Sequence, residues 1–200
     1  MDLIDTGVLF FSLLGLLAIA GTAVALVSLV THQVAPSFAP TAWVVDIGRQ
    51  IGLQLAAVVA VTTTLGSLFM SQVAGFVPCE LCWYQRIFAW PLSLILTVAA
   101  VRRDRTVWTY TLPLCLAGGA ISIWHVLIER IPSLAESTAC DATASCTVRW
   151  VWKFGFVSIP LLALTCFAAV ATGTWMARSR PQADPLLESL GDDDTVPDHD

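Results

Sequence analysis

The chain has 200 residues and a mass of 21.5 kDa, with 56% hydrophobic residues, only 12% charged ones and a mean hydropathy of +0.76. Soluble domains run at roughly 45–50% apolar and about 25% charged, so a water-soluble globule is excluded and an integral membrane protein is indicated. The net charge of −5 is set by seven acids among residues 181–200; without them ten basic residues face eight acidic ones, too scattered to build a nucleic-acid-binding face.

Five apolar stretches are long enough to cross a bilayer, which takes about 20 helical residues. They fall at Gly7–Val30, Ile51–Met70, Trp83–Val101, Val107–Ile128 and Phe154–Met176. The first begins with Asp2 and Asp5 rather than basic residues, and its apolar run is longer than a signal-peptide core, so it reads as a retained span. Residues 32–50, with Pro36 and Pro40, read as an inter-span loop. The residues Arg49, Arg102, Arg103, Arg105, Arg178 and Arg180 all fall on one side if the spans alternate. The positive-inside bias then predicts an exterior N-terminus and a cytoplasmic C-terminus, with residues 71–82 and 129–153 outside. The acidic, proline-containing segment after Arg180 reads as a solvated, disordered tail.

Six cysteines are distributed unevenly along this plan. Cys79 and Cys82 form a C-x-x-C at the start of the third span, and Cys140 and Cys146 lie in the second exterior loop. All four therefore face the side on which disulfides form and persist. A helix N-terminus favours thiolate, the reactive form of cysteine, and Arg86 lies one turn beyond Cys82 on the same face. The pair Cys140/Cys146 sits among small polar residues, where an exposed disulfide is open to a foreign thiolate. Two such pairs on one face suggest a relay by thiol–disulfide exchange. Static disulfides, or a metal held by Cys79, Cys82 and His125, are the rival readings of the same residues. Cys115 and Cys166 lie within apolar spans and read as packing residues.

Ionisable groups within spans are costly and usually turn inward. Arg86 and His125 both lie about one turn inside their helices and are expected to converge beneath the C-x-x-C. A quinone headgroup suits such a place, since its oxygens need donors and its reduced form needs protons. The bland alternative for His125 is a pairing with Glu129, one turn on. Trp83, Trp108, Trp124, Trp150, Trp152 and Trp175 fall near span ends, as an interfacial aromatic belt would. Trp83 and Trp124 also stand where a quinone pocket would be lined. Trp150–Phe156 could form a short amphipathic stretch on the exterior surface.

The string Phe76-Val-Pro-Cys-Glu-Leu-Cys-Trp-Tyr-Gln-Arg-Ile87 strongly resembles the DsbB family of membrane disulfide-bond formation proteins. Ser122-Ile-Trp-His125, the later cysteine pair and Phe156-Val-Ser-Ile-Pro160 are similar too, and the short gap between Cys140 and Cys146 resembles the BdbC-like branch. The resemblance covers about residues 50–176. It implies an all-α fold, a four-helix transmembrane redox bundle at residues 49–178. An extra N-terminal helix and cytoplasmic loop would occupy residues 1–48, and the acidic tail residues 179–200. It implies a thiol:quinone oxidoreductase of the cell membrane that re-oxidises a DsbA-like thioredoxin-fold partner and passes two electrons to ubiquinone or menaquinone. Carried over by position, Cys140 would form the mixed disulfide with the partner, and Cys146 would resolve it or exchange with Cys79. Cys82 would face the quinone, with Arg86, His125 and Trp83 beside it. No resident metal is expected on this reading. Vitamin K epoxide reductase also resembles this arrangement, but the C-x-x-C here opens an early span rather than ending the last.

Overall fold

The protein is described from a computed structural model, which covers residues 2–35, 39–135 and 145–178. Five long helices carry the chain: α1 (Leu3–Val34), α2 (Ala39–Leu68), α3 (Glu80–Arg102), α4 (Trp108–Arg130) and α6 (Ile159–Ala177). A single turn, α5 (Pro132–Ala135), follows α4. All five long helices are apolar enough to cross a membrane, and the protein is an all-α, multi-pass membrane protein. Cys140 and the acidic tail lie outside the described residues.

Helices α2, α3, α4 and α6 form the bundle, and α1 packs against α2 and α6. The core runs through Leu53, Ala56, Ala60, Leu92, Leu96, Phe167 and Val170. Lipid gives apolar side chains no reason to leave it, so helix association in a bilayer depends on close packing and interhelical polar contacts. Both are present. Where α2 crosses α6, a Cβ on Gly52 would stand 2.6 Å from the Gly173 carbonyl oxygen, so only glycine lets these backbones meet. Buried Gln85 of α3 donates to Ser122 Oγ of α4 at 3.1 Å.

Two expectations are corrected. Residues 39–50 are not loop: they form the first turns of α2, which begins at Ala39. Pro40 stands in the first helical turn, where its missing N–H would have had no helical partner in any case. Gln50 also donates to Asp46 one turn back at 3.2 Å. At the other end of the chain, the last span starts at Ile159 rather than Phe154, with Pro160 in its first turn. Residues 153–157 instead make a tight turn closed by Lys153 N–H to the Val157 carbonyl at 3.0 Å. Phe154 at φ +54° and Gly155 at φ +77° give it a left-handed course that no right-handed helix can share.

The two ends of the bundle differ. At the end away from the C-x-x-C, the Arg178 guanidinium stacks on Trp175 at 3.7 Å, and Trp108 meets Trp175 edge-on. Arg105 donates to the terminal Ala177 carbonyl of α6 at 3.4 Å, offsetting one of the unpaired acceptors at that helix end. At the other end, α2 widens into a π-helical turn, Phe69–Val73, before the chain turns through Gly75 to the cysteines. Such turns re-aim the helix end and are frequent at functional sites.

Candidate functional site

Cys79 is the N-cap residue of α3, in extended backbone at φ −72°, and Cys82 lies in the first turn. The helix therefore begins one residue after the first cysteine, with Pro78 just outside it. This places both sulfurs at the positive end of α3. The two are free thiols 3.2 Å apart, and His125 Nε2 lies 3.6 Å from Cys79 Sγ.

Cys79 is 6% exposed and packs in one buried cluster with Ile128 of α4 and Cys146, which is 2% exposed. Cys146 is disulfide-bonded. The segment carrying it is tied down by a buried carboxylate. Glu129 accepts from Ser158 Oγ at 2.7 Å and stands 3.8 Å from Arg149 Nε, while Arg149 also donates to the Glu129 carbonyl at 2.7 Å. Glu129 is thus engaged with the Cys146 segment and the start of α6 rather than with His125. His125 Nδ1 is buried with no hydrogen-bond partner among the described residues.

Two cavities meet at the dithiol. The smaller, about 20 Å³, has room for about one water. It lies among Cys79, Cys82, His125, Glu129 and Cys146. The larger, about 340 Å³, opens on the other side of Cys82 among α1, α2, α3 and α6. Cys82 lines both. Arg86 lines the larger chamber and His125 the smaller, so these two face different cavities instead of sharing one pocket.

Arg86 is held in place from two directions. Its Nε donates to Ser67 Oγ at 2.9 Å and Nη2 to the Ser67 carbonyl at 3.2 Å, both on α2. Its guanidinium also lies over Trp83 at 5.0 Å and Trp90 at 5.6 Å. Trp83 therefore acts on the chamber through Arg86; the tryptophans that line the chamber are Trp90 and Trp150. The indole N–H of Trp90 is buried without a partner among the described residues. Nothing in the sequence sets Trp90 apart, since it is mid-span, away from the aromatic belt, and followed by Pro91. Cys166, read as a packing residue, lies in the core and also lines the chamber.

The geometry sets the acid–base behaviour of the first cysteine. The hydrogen bond with Cys82, followed by the contact with His125, outweighs burial and pulls the Cys79 thiol down to about 4. His125 and the N-terminal end of α3 both favour negative charge on Cys79. A depressed thiol is ionised above its folded value and loses its charge only as pH falls through it. In the reduced protein, the ultraviolet absorbance of the Cys79 thiolate is therefore expected to persist from about pH 8 to about pH 5, well below the ordinary thiol range near 8.5. Cys82→Ala raises the midpoint. A wild-type midpoint near the ordinary value contradicts this account.

Comparison with known proteins follows the same residues. The family model described as "Disulfide bond formation protein DsbB" matches residues 49–177, leaving α1 outside the match. Disulfide bond formation protein C of Bacillus subtilis is 41% identical over 122 residues, 61% of this chain and 88% of that protein. A probable disulfide formation protein of Metapseudomonas resinovorans is 43% identical over 122 residues, 60% of this chain and 83% of that protein. A probable disulfide formation protein C of Halalkalibacterium halodurans is 40% identical over 111 residues, 56% of this chain and 81% of that protein. No solved structure matches the chain.

Proposed function

The chain belongs to the DsbB family of disulfide bond formation proteins and resembles its BdbC-like branch, and from that premise we propose that it is a thiol:quinone oxidoreductase. Its role is to re-oxidise an exported thioredoxin-fold dithiol oxidase through two cysteine pairs. The observation that carries this reading is the position of Cys82, on the wall shared by the cavity next to Cys146 and the larger apolar chamber. A dithiol placed there has one face toward an incoming disulfide and the other toward an electron acceptor.

The chamber suits a quinone headgroup. Its volume of about 340 Å³ falls within the range of small-molecule pockets, roughly 300–1,000 Å³. The walls are mostly apolar, yet they carry Arg86 and Trp90, whose indole N–H has no partner among the described residues, and both residues offer donors to a ring that has only acceptor oxygens. Ubiquinone and menaquinone both meet that description. A bound quinone supplies a two-electron, two-proton sink; the rest is cysteine chemistry.

The partner's thiolate attacks Cys140 of a Cys140–Cys146 disulfide, and Cys146 leaves as a thiolate. The partner's second thiol displaces Cys140, completing the partner's disulfide. Cys146, already packed beside Cys79, then attacks Cys79 of the oxidised C-x-x-C, and Cys82 leaves as the thiolate at the chamber wall. Cys140 displaces Cys79 and restores its own disulfide. Two electrons and two protons now reside on the C-x-x-C and are discharged at the chamber, which re-forms the Cys79–Cys82 bond. Arg86 holds negative charge next to Cys82, and His125 steadies the Cys79 thiolate. Glu129 keeps Cys146 within reach by binding Arg149.

The orientation follows from this role. The cysteine end faces the exterior, and the opposite end, with its arginines and the acidic tail, faces the cytoplasm. The redox bundle runs from the start of α2 at Ala39 to the end of α6, and α1 is the added helix. A metal centre on Cys79, Cys82 and His125 is less well supported. Their ligand atoms lie within 4.8 Å of one another, but a metal-bound histidine usually fixes its other ring nitrogen through a hydrogen bond, and His125 Nδ1 has none among the described residues.

The test is thiol trapping of Cys79, Cys82, Cys140 and Cys146 in membranes after mild reduction, with and without added quinone. Both pairs should re-oxidise only when quinone is present. Cysteines that resist mild reduction, or that ignore quinone, make the disulfides static and overturn the proposal.

A further inference from the structure

Helix α1 lies outside the residues that the family model matches, yet it forms part of the chamber. Phe11, Leu14, Gly15, Leu17 and Ala18 all line it. Their spacing of three, four and seven residues gathers them along one side of the helix. Close packing fixes that side inward. The Phe11 ring lies against Gly66 of α2, and Gly15 admits the Leu162 side chain of α6 into the space a Cβ would occupy. Ser12 turns its hydroxyl back onto the Val8 carbonyl at 2.7 Å and adds no polar group to the wall.

The chamber is graded along its length. Cys82 and Arg86 mark its polar end, and Trp90 on the same helix lies eight residues beyond Cys82, about 12 Å deeper. The contribution of α1 is wholly apolar. Among the lining residues, Leu17 of α1 is 69% exposed and Val58 of α2 is 62% exposed, and Val77 and Trp150 are exposed at the cysteine end. The chamber therefore has a lateral opening bordered by α1 and α2, on the side that faces lipid.

We propose that α1 is the specificity wall of this chamber: it borders the lateral portal through which the prenyl chain of a quinone leaves, and Leu14 and Ala18 set the width of chain and ring admitted. The inference rests on the quinone reading above and adds to it a role for the helix that the family match leaves out.

The experiment compares a prenylated quinone with a tail-less analogue on the full-length protein in nanodiscs. Ala18→Trp narrows the portal. The expected result is a rise of about tenfold in KM for the prenylated quinone, the cost of overpacking a filled site, with a much smaller rise for the tail-less one. Leu14→Ala, which widens the wall, should lower the penalty for a bulkier naphthoquinone ring, and it serves if Ala18→Trp fails to fold. A second readout needs no turnover: a quinone with a photoreactive azide on its chain should label the α1 peptide spanning residues 11–18. Equal effects on both quinones, or labelling confined to α2, α3 and α6, overturn the role of α1 and leave the quinone reading intact. A wild-type protein that reduces and binds no quinone overturns both.

Discussion

Replacing Cys82 with serine drops quinone reduction by the reduced partner to the uncatalysed background. The loss is complete because the sulfur is itself a reactant, the atom through which electrons leave the C-x-x-C. It stands on the wall between the two cavities, and no other cysteine among the described residues lines both. Cys166 reaches the larger chamber only, and Cys115 lies in the core. The same variant should build up a Cys79–Cys146 disulfide, formed when the Cys79 thiolate attacks Cys146 of the Cys140–Cys146 disulfide and Cys140 leaves as the thiolate, since Cys79 retains its place in the Cys146 cluster. Cys115→Ala should keep turnover, because that thiol touches neither cavity. Undiminished quinone reduction by Cys82→Ser sinks the proposed electron path. A loss of activity that also spreads to Cys115→Ala points instead to a damaged bundle.

Much of this site was legible in the sequence, and the reasons are local. A C-x-x-C beside a span, with an arginine one turn on, fixes its own geometry through helical periodicity, so Cys82 and Arg86 fall on one side of α3 as the spacing implies. The five spans were legible because hydrophobic length alone decides whether a segment can cross a bilayer. Features that depend on how helices pack were not. Arg86 and His125 both stand about one turn inside their helices by sequence, but that does not say which cavity each faces, and they line different ones. Glu129 reads as a helical partner for His125 until the Cys146 segment, folding back from far along the chain, brings Arg149 to it. The start of α2 was hidden because Pro40 suggests a loop and is equally at home in a first helical turn. Nothing in the composition of α1 reveals that one side of it meets a chamber, since a wall of lipid and a wall of chamber call for the same apolar side chains.

Arg86→Gln should weaken quinone binding far more than it weakens the bundle. Two of the five guanidinium N–H groups are bound to Ser67, and the remainder of the cation is left to the chamber. A hydrogen bond to a charged group is worth about 1.5–3 kcal/mol, so its loss corresponds to a rise of roughly 10- to 150-fold in KM for quinone. A fall in kcat should accompany it, because the cation also holds negative charge at Cys82 as electrons leave. The tie to α2 has its own control. Ser67→Ala removes the side-chain acceptor while leaving the charge, and should shift the thermal midpoint by as much as Arg86→Gln with a smaller change in KM. Arg86→Lys keeps the charge but not the planar guanidinium that rests between Trp83 and Trp90, and should recover only part of the lost affinity. If Ser67→Ala matches Arg86→Gln in KM as well as in stability, Arg86 is a strut between two helices, and the charge next to Cys82 must be balanced by another group.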